Sequence, residues 1–355
     1  MDVTTKMELI LRDPTEEVIT EEELRELLET NPHPKHYIGF EISGLLHLGT
    51  LFLSGYKIRD LMEAGVDCTV YLADWHSFIN NKLGGVWENI IKASRYYEEA
   101  FKFFCPGVRV ILGSDLYHNN DEYWRDIMRF CRHITLARNT RCLTIMGRSE
   151  RERLSFAQYL YPPMQAVDVK YLGPDIPHGG MDQRKVHVLC REVYPKLGWR
   201  KPIPLHHHLL MGLERPDTSM SRRERIITAK MSKSKPWTCI FIHDSEEEIK
   251  AKINRAYCPE RVVDLNPVLE ITRYIIFRER ETFPITRPTK YGGDVEYSSY
   301  GELEEAYRRG ELHPKDLKEN VARELNGIIS PVREHFKKRE ELLEVFKETQ
   351  AAGTP

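Results

Sequence analysis

The sequence predicts an α/β protein: a parallel five-stranded sheet with helices on both faces and a helical insertion, followed by a mainly α-helical C-terminal domain. Three observations predict it. Between residues 36 and 209, short β-branched or apolar runs alternate with longer helical patterns, as crossover-connected parallel strands require. Residues 113 to 160 carry two helical patterns before the next strand candidate, which reads as an insertion between two halves of the sheet. Beyond Pro236 the apolar positions fall into helical segments separated by turns with proline and glycine.

The strand candidates are 36–41 (HYIGFE), 68–74 (CTVYLAD), 108–112 (VRVIL), 174–178 (PDIPH) and 203–209 (IPLHHHL). Helical patterns at 47–64, 86–104, 121–136, 155–171 and 181–196 supply the crossovers, the first ended by Gly65 where a C-cap favours glycine. Pro162 and Pro163 fall in the fourth pattern; lacking the N–H that a helix interior uses, they kink it or mark its start. Further helices are expected at 245–258 and 317–348, with QAAGTP frayed at the end. The expected division is a catalytic domain at 1–228 containing the 113–160 insertion, a loop and linker at 229–242, and a helical domain at 243–355.

With 355 residues and 41% hydrophobic content the chain is long enough for two domains. No run approaches the roughly 18–20 apolar residues of a membrane span, and the first residues lack an apolar leader core. The chain is therefore read as cytoplasmic, with no membrane partner. Its seven cysteines stand singly, with no Cys-x-x-Cys pair for zinc or redox work, and read as reduced thiols. A net charge of -2 lacks the basic excess of a nucleic-acid binder, so any RNA contact is local. The run Arg222, Arg223, Arg225, Lys230, Lys233, Lys235 and the pair Arg184-Lys185 could supply it; both also suit a solvated face.

Two segments suit phosphate chemistry. GFEISGLLHLGT (39–50) sets glycines and His47 between a strand and a helix, where backbone N–H groups and the helix dipole attract anions. KMSKSK (230–235) offers Lys230 and Lys233 to a polyphosphate, with serine hydroxyls and backbone amides as further donors. A third segment carries a polar face: Tyr161, Gln165 and Asp168 stand at i, i+4 and i+7 and share one side of a helix. A phenol, an amide and a carboxylate together are poor core material, because burying an unpaired carboxylate is costly. The run His206-His207-His208 is not a metal site, since neighbours on a strand point to opposite faces.

His47-Leu48-Gly49-Thr50 resembles the HIGH motif of class I aminoacyl-tRNA synthetases, and KMSKS matches their second signature at all five positions. YPPMQAVDVKYLGPDIPHGGMDQRKVHVLCRE (161–192) resembles tyrosyl-tRNA synthetases of the archaeal/eukaryotic branch. YIGFEISG, YLADWHSFINNK and ELHPKDLKENVAREL extend the likeness over nearly the whole chain. The resemblance implies a Rossmann-like catalytic domain and a tyrosine-tRNA ligase. Its substrates would be L-tyrosine, ATP with Mg²⁺ and tRNA(Tyr), with no tightly bound cofactor and no metal site of its own.

Carried over residue by residue, the resemblance gives Tyr37 and Asp168 to the substrate phenol and Tyr161, Gln165 and Gln183 to its amino group; Glu41 helps fix the substrate from the strand end, and His76 lines the pocket or its edge. It gives Gly39, His47, Gly49, Thr50, Asp182 (ribose), Lys230, Met231, Ser232, Lys233 and Ser234 to ATP, with His47, Thr50, Lys230 and Lys233 as the catalytic set. Thr50 replaces the second histidine of the motif and brings a hydroxyl without charge. Arg141, Arg184 and Lys185 match positions that read the acceptor stem, and Tyr291, His313 and Asp316 those that read the first anticodon base. The family also implies a homodimer, with 113–150 at the two-fold interface. A tryptophan ligase, a small-molecule nucleotidyl transferase and a synthetase-like protein without catalysis remain as other readings; Asp168 and GGMDQRK speak against the first, the long helical domain against the second.

Overall fold

Six strands, one more than expected, form the main sheet of the computed structural model, which describes residues 1–147, 153–217, 219–220 and 228–351. They are β1 (Thr15–Val18), β2 (Lys35–Phe40), β3 (Asp67–Leu72), β4 (Arg109–Leu112), β5 (Ile176–Gly180) and β6 (Leu205–His207), in the order β1-β6-β5-β2-β3-β4. Neighbours run parallel except β1, which lies antiparallel on β6 at the edge. The five strand candidates correspond to β2 through β6. The sixth escaped because TEEV has no apolar alternation: an edge strand pairs through its backbone and none of these four side chains is fully buried.

The strand order fixes where a ligand can sit in this unit. From β2 the chain passes outward to β3 and β4, then returns to β5 on the other side of β2, so connections leave β2 and β5 in opposite directions. A crevice opens at the carboxyl ends of strands at such a switch point. Between them stand the helix Trp87–Phe104, which buries Ile90, Ala93, Tyr97, Ala100, Phe101 and Phe104 at helical spacing, and the helix Tyr161–Leu172. Pro162 and Pro163 lie in the first turn of the latter and mark its start, where missing N–H groups cost nothing; Gly173, at φ 60°, closes it. The insertion is a set of short helices, Ser114–Tyr117, Asp121–Cys131 and Leu136–Cys142.

The chain forms two compact units whose bounds differ from the expected division. One comprises Met1–Gly44, Lys57–His208 and Glu341–Pro355; the other comprises Leu45–Tyr56 and Leu209–Glu340. The segment after β2 that carries His47 thus groups with the lysine loop and the C-terminal helices, while the last residues group with the sheet. In the second unit Ser245 and Glu248 form a reciprocal cap on the helix Glu246–Arg255, and the helix Pro314–Lys337 is the longest described. The expected helix 317–348 is broken: it ends at Lys337, and Glu344–Ala351 is separate. A small hairpin, β7 (Phe283–Ile285) and β8 (Val295–Tyr297), also went unforeseen. No described helix is long and apolar enough to cross a membrane.

Lys57 is wholly buried in the first unit. Its ammonium donates to the carbonyls of Leu9 (3.1 Å), Ile10 (3.0 Å) and Arg12 (2.9 Å) at the end of the helix Val3–Leu11, and pairs with Asp60 at 3.0 Å. Helix-terminal carbonyls have no partner within the helix, so this cation satisfies them and ties the N-terminal segment to the helix Ser54–Glu63 that carries Lys57. Replacing Lys57 by Met keeps the stem and removes the charge. We expect a loss of about 3–5 kcal/mol, the range for stranding one member of a buried pair, seen as a lower urea midpoint; an unchanged midpoint would contradict this account.

Candidate active site

Asp168, in the helix Tyr161–Leu172, is 0% exposed. Tyr123 donates to its Oδ1 at 2.7 Å, Tyr117 lies 3.0 Å from Oδ1 and 3.1 Å from Oδ2, and Tyr71 donates to Oδ2 at 3.0 Å. The Tyr71 and Tyr117 hydroxyls also touch each other. Burial pushes the Asp168 carboxyl up to about 7, against the pull of the three phenols, whose own ionisation burial pushes well out of range. A carboxylate has about four lone-pair positions, and three phenols bring three protons, so an acceptor position remains. Gly113, at the end of β4, is needed for this packing: a Cβ there would fall 2.8 Å from the Tyr71 hydroxyl and 2.5 Å from Asp74 Oδ1.

Tyr37, on β2, is buried edge-on to Tyr71 at 6.2 Å between ring centroids. Burial, then the charge of Asp168, raise its phenol, while a hydrogen bond with Gln165 acts the other way. Tyr37 therefore feels Asp168, but among the described residues the hydrogen bonds to that carboxylate come from Tyr71, Tyr117 and Tyr123. Gln165 Nε2 donates to Gln183 Oε1 at 3.0 Å, and Gln183 Nε2 to the Ile145 carbonyl at 3.2 Å. Gln183 stands in the turn Met181–Gln183 directly after β5, where Gly179 gives it room: a Cβ there would meet Gln183 Cβ at 2.8 Å.

The His76 ring packs edge-on against Tyr161 at 4.4 Å, and its Nε2 lies 3.6 Å from Asp168 Oδ2. That is too long for a hydrogen bond, and burial holds the imidazole down to about 3 and neutral, so the contact is no ion pair. Glu41, just past β2, accepts from Asn80 Nδ2 at 2.6 Å and pairs with Lys82 at 3.3 Å. Asp182 adjoins Gln183, and its charge reaches Tyr161 and His207. Gly39, on β2, approaches the Tyr37 and Tyr71 rings.

In the second unit, two motifs about 180 residues apart come together. His47 bridges Phe241, with Leu48 N donating to the Ile240 carbonyl and Ile242 N to that of Leu46, both at 3.1 Å. Lys230 bridges Met211, and Met231 N donates to the Leu210 carbonyl at 2.7 Å. Burial, then the charges of Lys233 and Lys230, hold the His47 imidazole well below its usual range. His47 Nε2 lies 2.8 Å from Thr50 Oγ1, so the hydroxyl in the motif's last position meets its first residue; His47 Nδ1 is buried with no hydrogen-bond partner. Gly49 admits the close approach of the His47 ring, 3.3 Å from where a Cβ would stand. Met231 is buried, and the Ser232 and Ser234 hydroxyls lie 3.0 Å apart.

Of the candidate RNA contacts, Lys185 Nζ donates to the Arg141 carbonyl (2.9 Å) and Thr144 Oγ1 (3.0 Å), joining two of the basic positions. Arg184, at the start of the helix Arg184–Val193, is bound through Nε to Glu17. Tyr291 is 59% exposed with Lys290 over its ring; His313 caps the helix Pro314–Lys337, accepting from Lys315 N at 3.1 Å, and Asp316 is buried in its first turn. Arg222, Arg223 and Arg225 lie outside the described residues.

The model of the family tRNA synthetases class I (W and Y) matches residues 29–330. The chain belongs to this family. Among curated relatives, the tyrosine–tRNA ligase of Thermococcus kodakarensis is 47% identical over 371 residues, covering 98% of this chain and 99% of its own. That of Pyrobaculum arsenaticum is 50% identical over 355 residues, covering 95% of each. A solved tyrosyl-tRNA synthetase of Pyrococcus horikoshii, complexed with L-tyrosine, superposes with a TM-score of 0.92 at 43% identity, over 98% of this chain and 100% of that one.

Sequence reasoning missed three residues that hold Asp168 in this class I synthetase. Tyr71 falls within YLADWHSFINNK, and Tyr117 and Tyr123 within the insertion, each on a different element. No spacing rule joins them; only the fold brings the hydroxyls to one carboxylate. Because each phenol favours the ionised form, Tyr123→Phe should move the Asp168 midpoint upward from about 7, enlarging the neutral fraction at neutral pH. Carboxyl-carbon NMR titration reads the shift; a midpoint that stays or falls would show that Tyr123 does not stabilise the charge.

Proposed function

We propose that the chain is a tyrosine–tRNA ligase: it joins L-tyrosine to ATP as tyrosyl-adenylate and transfers the tyrosyl group to the 3′ end of tRNA(Tyr). The observation that carries this reading is the buried Asp168 carboxylate, ringed by hydroxyl donors and keeping one acceptor position, with Tyr37 within reach of its field. A substrate phenol donates to Asp168 and accepts from Tyr37; phenylalanine leaves both unpaired. Tyr161, Gln165 and Gln183 take the α-amino group, with Glu41 and His76 at the edge. The name of the curated relatives and the L-tyrosine in the Pyrococcus complex support the same substrate.

ATP enters with Mg²⁺ as its substrate complex. Gly39 and Gly49 allow close backbone approach, and Asp182 accepts from the ribose. If Thr50 Oγ–H donates to His47 Nε2, neutral His47 holds its own proton on Nδ1, the atom without a protein partner, and offers it to a phosphate oxygen. Lys230 and Lys233 neutralise the triphosphate, with Met231, Ser232 and Ser234 shaping the loop and adding donors. The tyrosine carboxylate attacks the α-phosphorus and pyrophosphate leaves. A terminal ribose hydroxyl of the tRNA then attacks the tyrosyl carbonyl and AMP leaves. Catalysis is positioning plus charge stabilisation, with no protein nucleophile.

Arg141, Arg184 and Lys185 contact the acceptor stem, while Tyr291 stacks on the first anticodon base and Asp316 and His313 meet its edge, making 243–355 the anticodon-binding domain. The enzyme acts in the cytoplasm as a homodimer joined through residues 113–150; the exposure of Leu136 (70%) and Phe156 (82%), the latter just beyond that range, supports an apolar partner face.

Pyrophosphate exchange into ATP, run across the twenty amino acids, tests the reading: tyrosine alone should stimulate it, and Asp168→Ala should abolish the preference for tyrosine over phenylalanine. Equal stimulation by phenylalanine in the wild type would refute the assignment. Lys230→Ala and Lys233→Ala should each slow activation by at least about tenfold with little change in tyrosine affinity, as pre-steady-state adenylate formation would show. Sedimentation analysis should give a dimer, converted to monomer by Leu136→Glu.

A further inference from the structure

The run His206-His207-His208 takes no part in the reaction above, and β1 was illegible in the sequence, yet the two meet. In the antiparallel register Glu17 faces His206. His206 Nδ1 lies 2.9 Å from Glu17 Oε2, and its Nε2 lies 3.0 Å from Nδ1 of His187, on the helix Arg184–Val193. The other two histidines go elsewhere: His207 Nδ1 meets His178 Nε2 at 2.7 Å, and His208 meets Glu16.

An ionised carboxylate only accepts, so Glu17 takes a proton from His206 Nδ1. Beyond it, His206 Nε2 and His187 Nδ1 share one hydrogen bond, and His187 Nε2 lies buried without a hydrogen-bond partner. The hydrogen bond from His206, then that from Arg184, hold the Glu17 carboxyl down to about 2 against its desolvation, so it is ionised throughout the working range. This carboxylate accepts the Arg184 Nε–H, 2.8 and 2.9 Å from its two oxygens.

Arg184 has five N–H donors, and Glu17 engages only Nε, so the four Nη–H donors have no protein partner among the described residues. The side chain is 34% exposed. The Glu17–Arg184 pair itself, with side chains 27% and 34% exposed, adds little to folding, while Glu17 is held from behind by the buried His206. Lys185 follows it, Lys185 holds the Arg141 backbone, and the helix begins here with its positive end.

We propose that Glu17, braced by His206 and His187, is a positioning residue that fixes the Arg184 guanidinium so that its free fork engages RNA, at a phosphate or a guanine edge. The inference rests on the reading of Arg184 as an acceptor-stem contact and adds the device that orients it. Glu17 touches no substrate; it acts through Arg184.

The two-step reaction separates the outcomes. Exchange of pyrophosphate into ATP needs no RNA, whereas aminoacylation of a tRNA(Tyr) transcript does. Glu17→Gln should raise KM for tRNA about tenfold, the lower range for losing a residue that orients a binding group, with exchange within about twofold of wild type. Glu17→Asp, which keeps the charge, should recover part of the loss. The double variant Glu17→Gln/Arg184→Ala should be no worse than Arg184→Ala alone, because the two act as one unit. Additive losses, a parallel fall in exchange, or an unchanged KM for tRNA in Glu17→Gln while Arg184→Ala raises it would each overturn the proposal. An unchanged KM in Arg184→Ala would remove Arg184 from the RNA contact and the proposal with it, while exchange with tyrosine would still stand for the ligase itself.

Discussion

Asp168 lies wholly out of water, and an ionised carboxylate there survives only where donors replace its hydration. Three phenols on three elements do so: Tyr71 on β3, Tyr117 on the short helix after β4, and Tyr123 in the next helix. The compensation is incomplete, since burial still lifts the carboxyl to about 7. On the proposed reading, that residual cost is what a substrate hydroxyl relieves: one more donor further stabilises the buried charge, and a C–H in its place does not. On the same reading, selectivity for a phenol rests on the energetics of this one buried group. Glycine at 113 leaves room for the Tyr71 hydroxyl to pass close to the backbone, where a Cβ would fall 2.8 Å from it.

The second unit solves a different problem, the collection of positive charge beside a neutral donor. His47 is neutral because it is buried and because Lys233 and Lys230 raise the potential around it. A neutral imidazole carries one ring proton, and the hydroxyl of Thr50 lies 2.8 Å from Nε2, leaving Nδ1 as the nitrogen without a hydrogen-bond partner. The threonine that departs from the HIGH pattern thus contacts the motif's first residue through an uncharged hydroxyl. Backbone pairing of 46–48 with 240–242, and of 210–212 with 229–231, holds the two motifs in register.

The edge strand shows how little side-chain pattern an element needs to bring distant residues together. β1 is four residues long and polar, yet its backbone pairing with β6 sets Glu17 against His206 and puts a carboxylate under Arg184. The three histidines, uninformative as a run, separate into three different partnerships because strand neighbours alternate and two strands flank them.

The sequence by itself determined the alternation of strands and helices from 36 to 209, a break near Pro162 and Pro163 within the fourth helical pattern, the shared face of Tyr161, Gln165 and Asp168, and the positions of the two glycine- and lysine-containing motifs. These are local: periodicity, missing N–H groups and contiguous motifs act within a few turns. Tertiary structure alone decided that the His47 segment belongs with the lysine loop and not with the sheet, that β1 completes the edge, that Glu17 takes Arg184, and that Tyr71, Tyr117 and Tyr123 converge on Asp168. Each of these joins residues tens to hundreds of positions apart. A hydrogen bond across such a gap leaves no period in the chain, because its two ends are set by the separate packing of the elements that carry them.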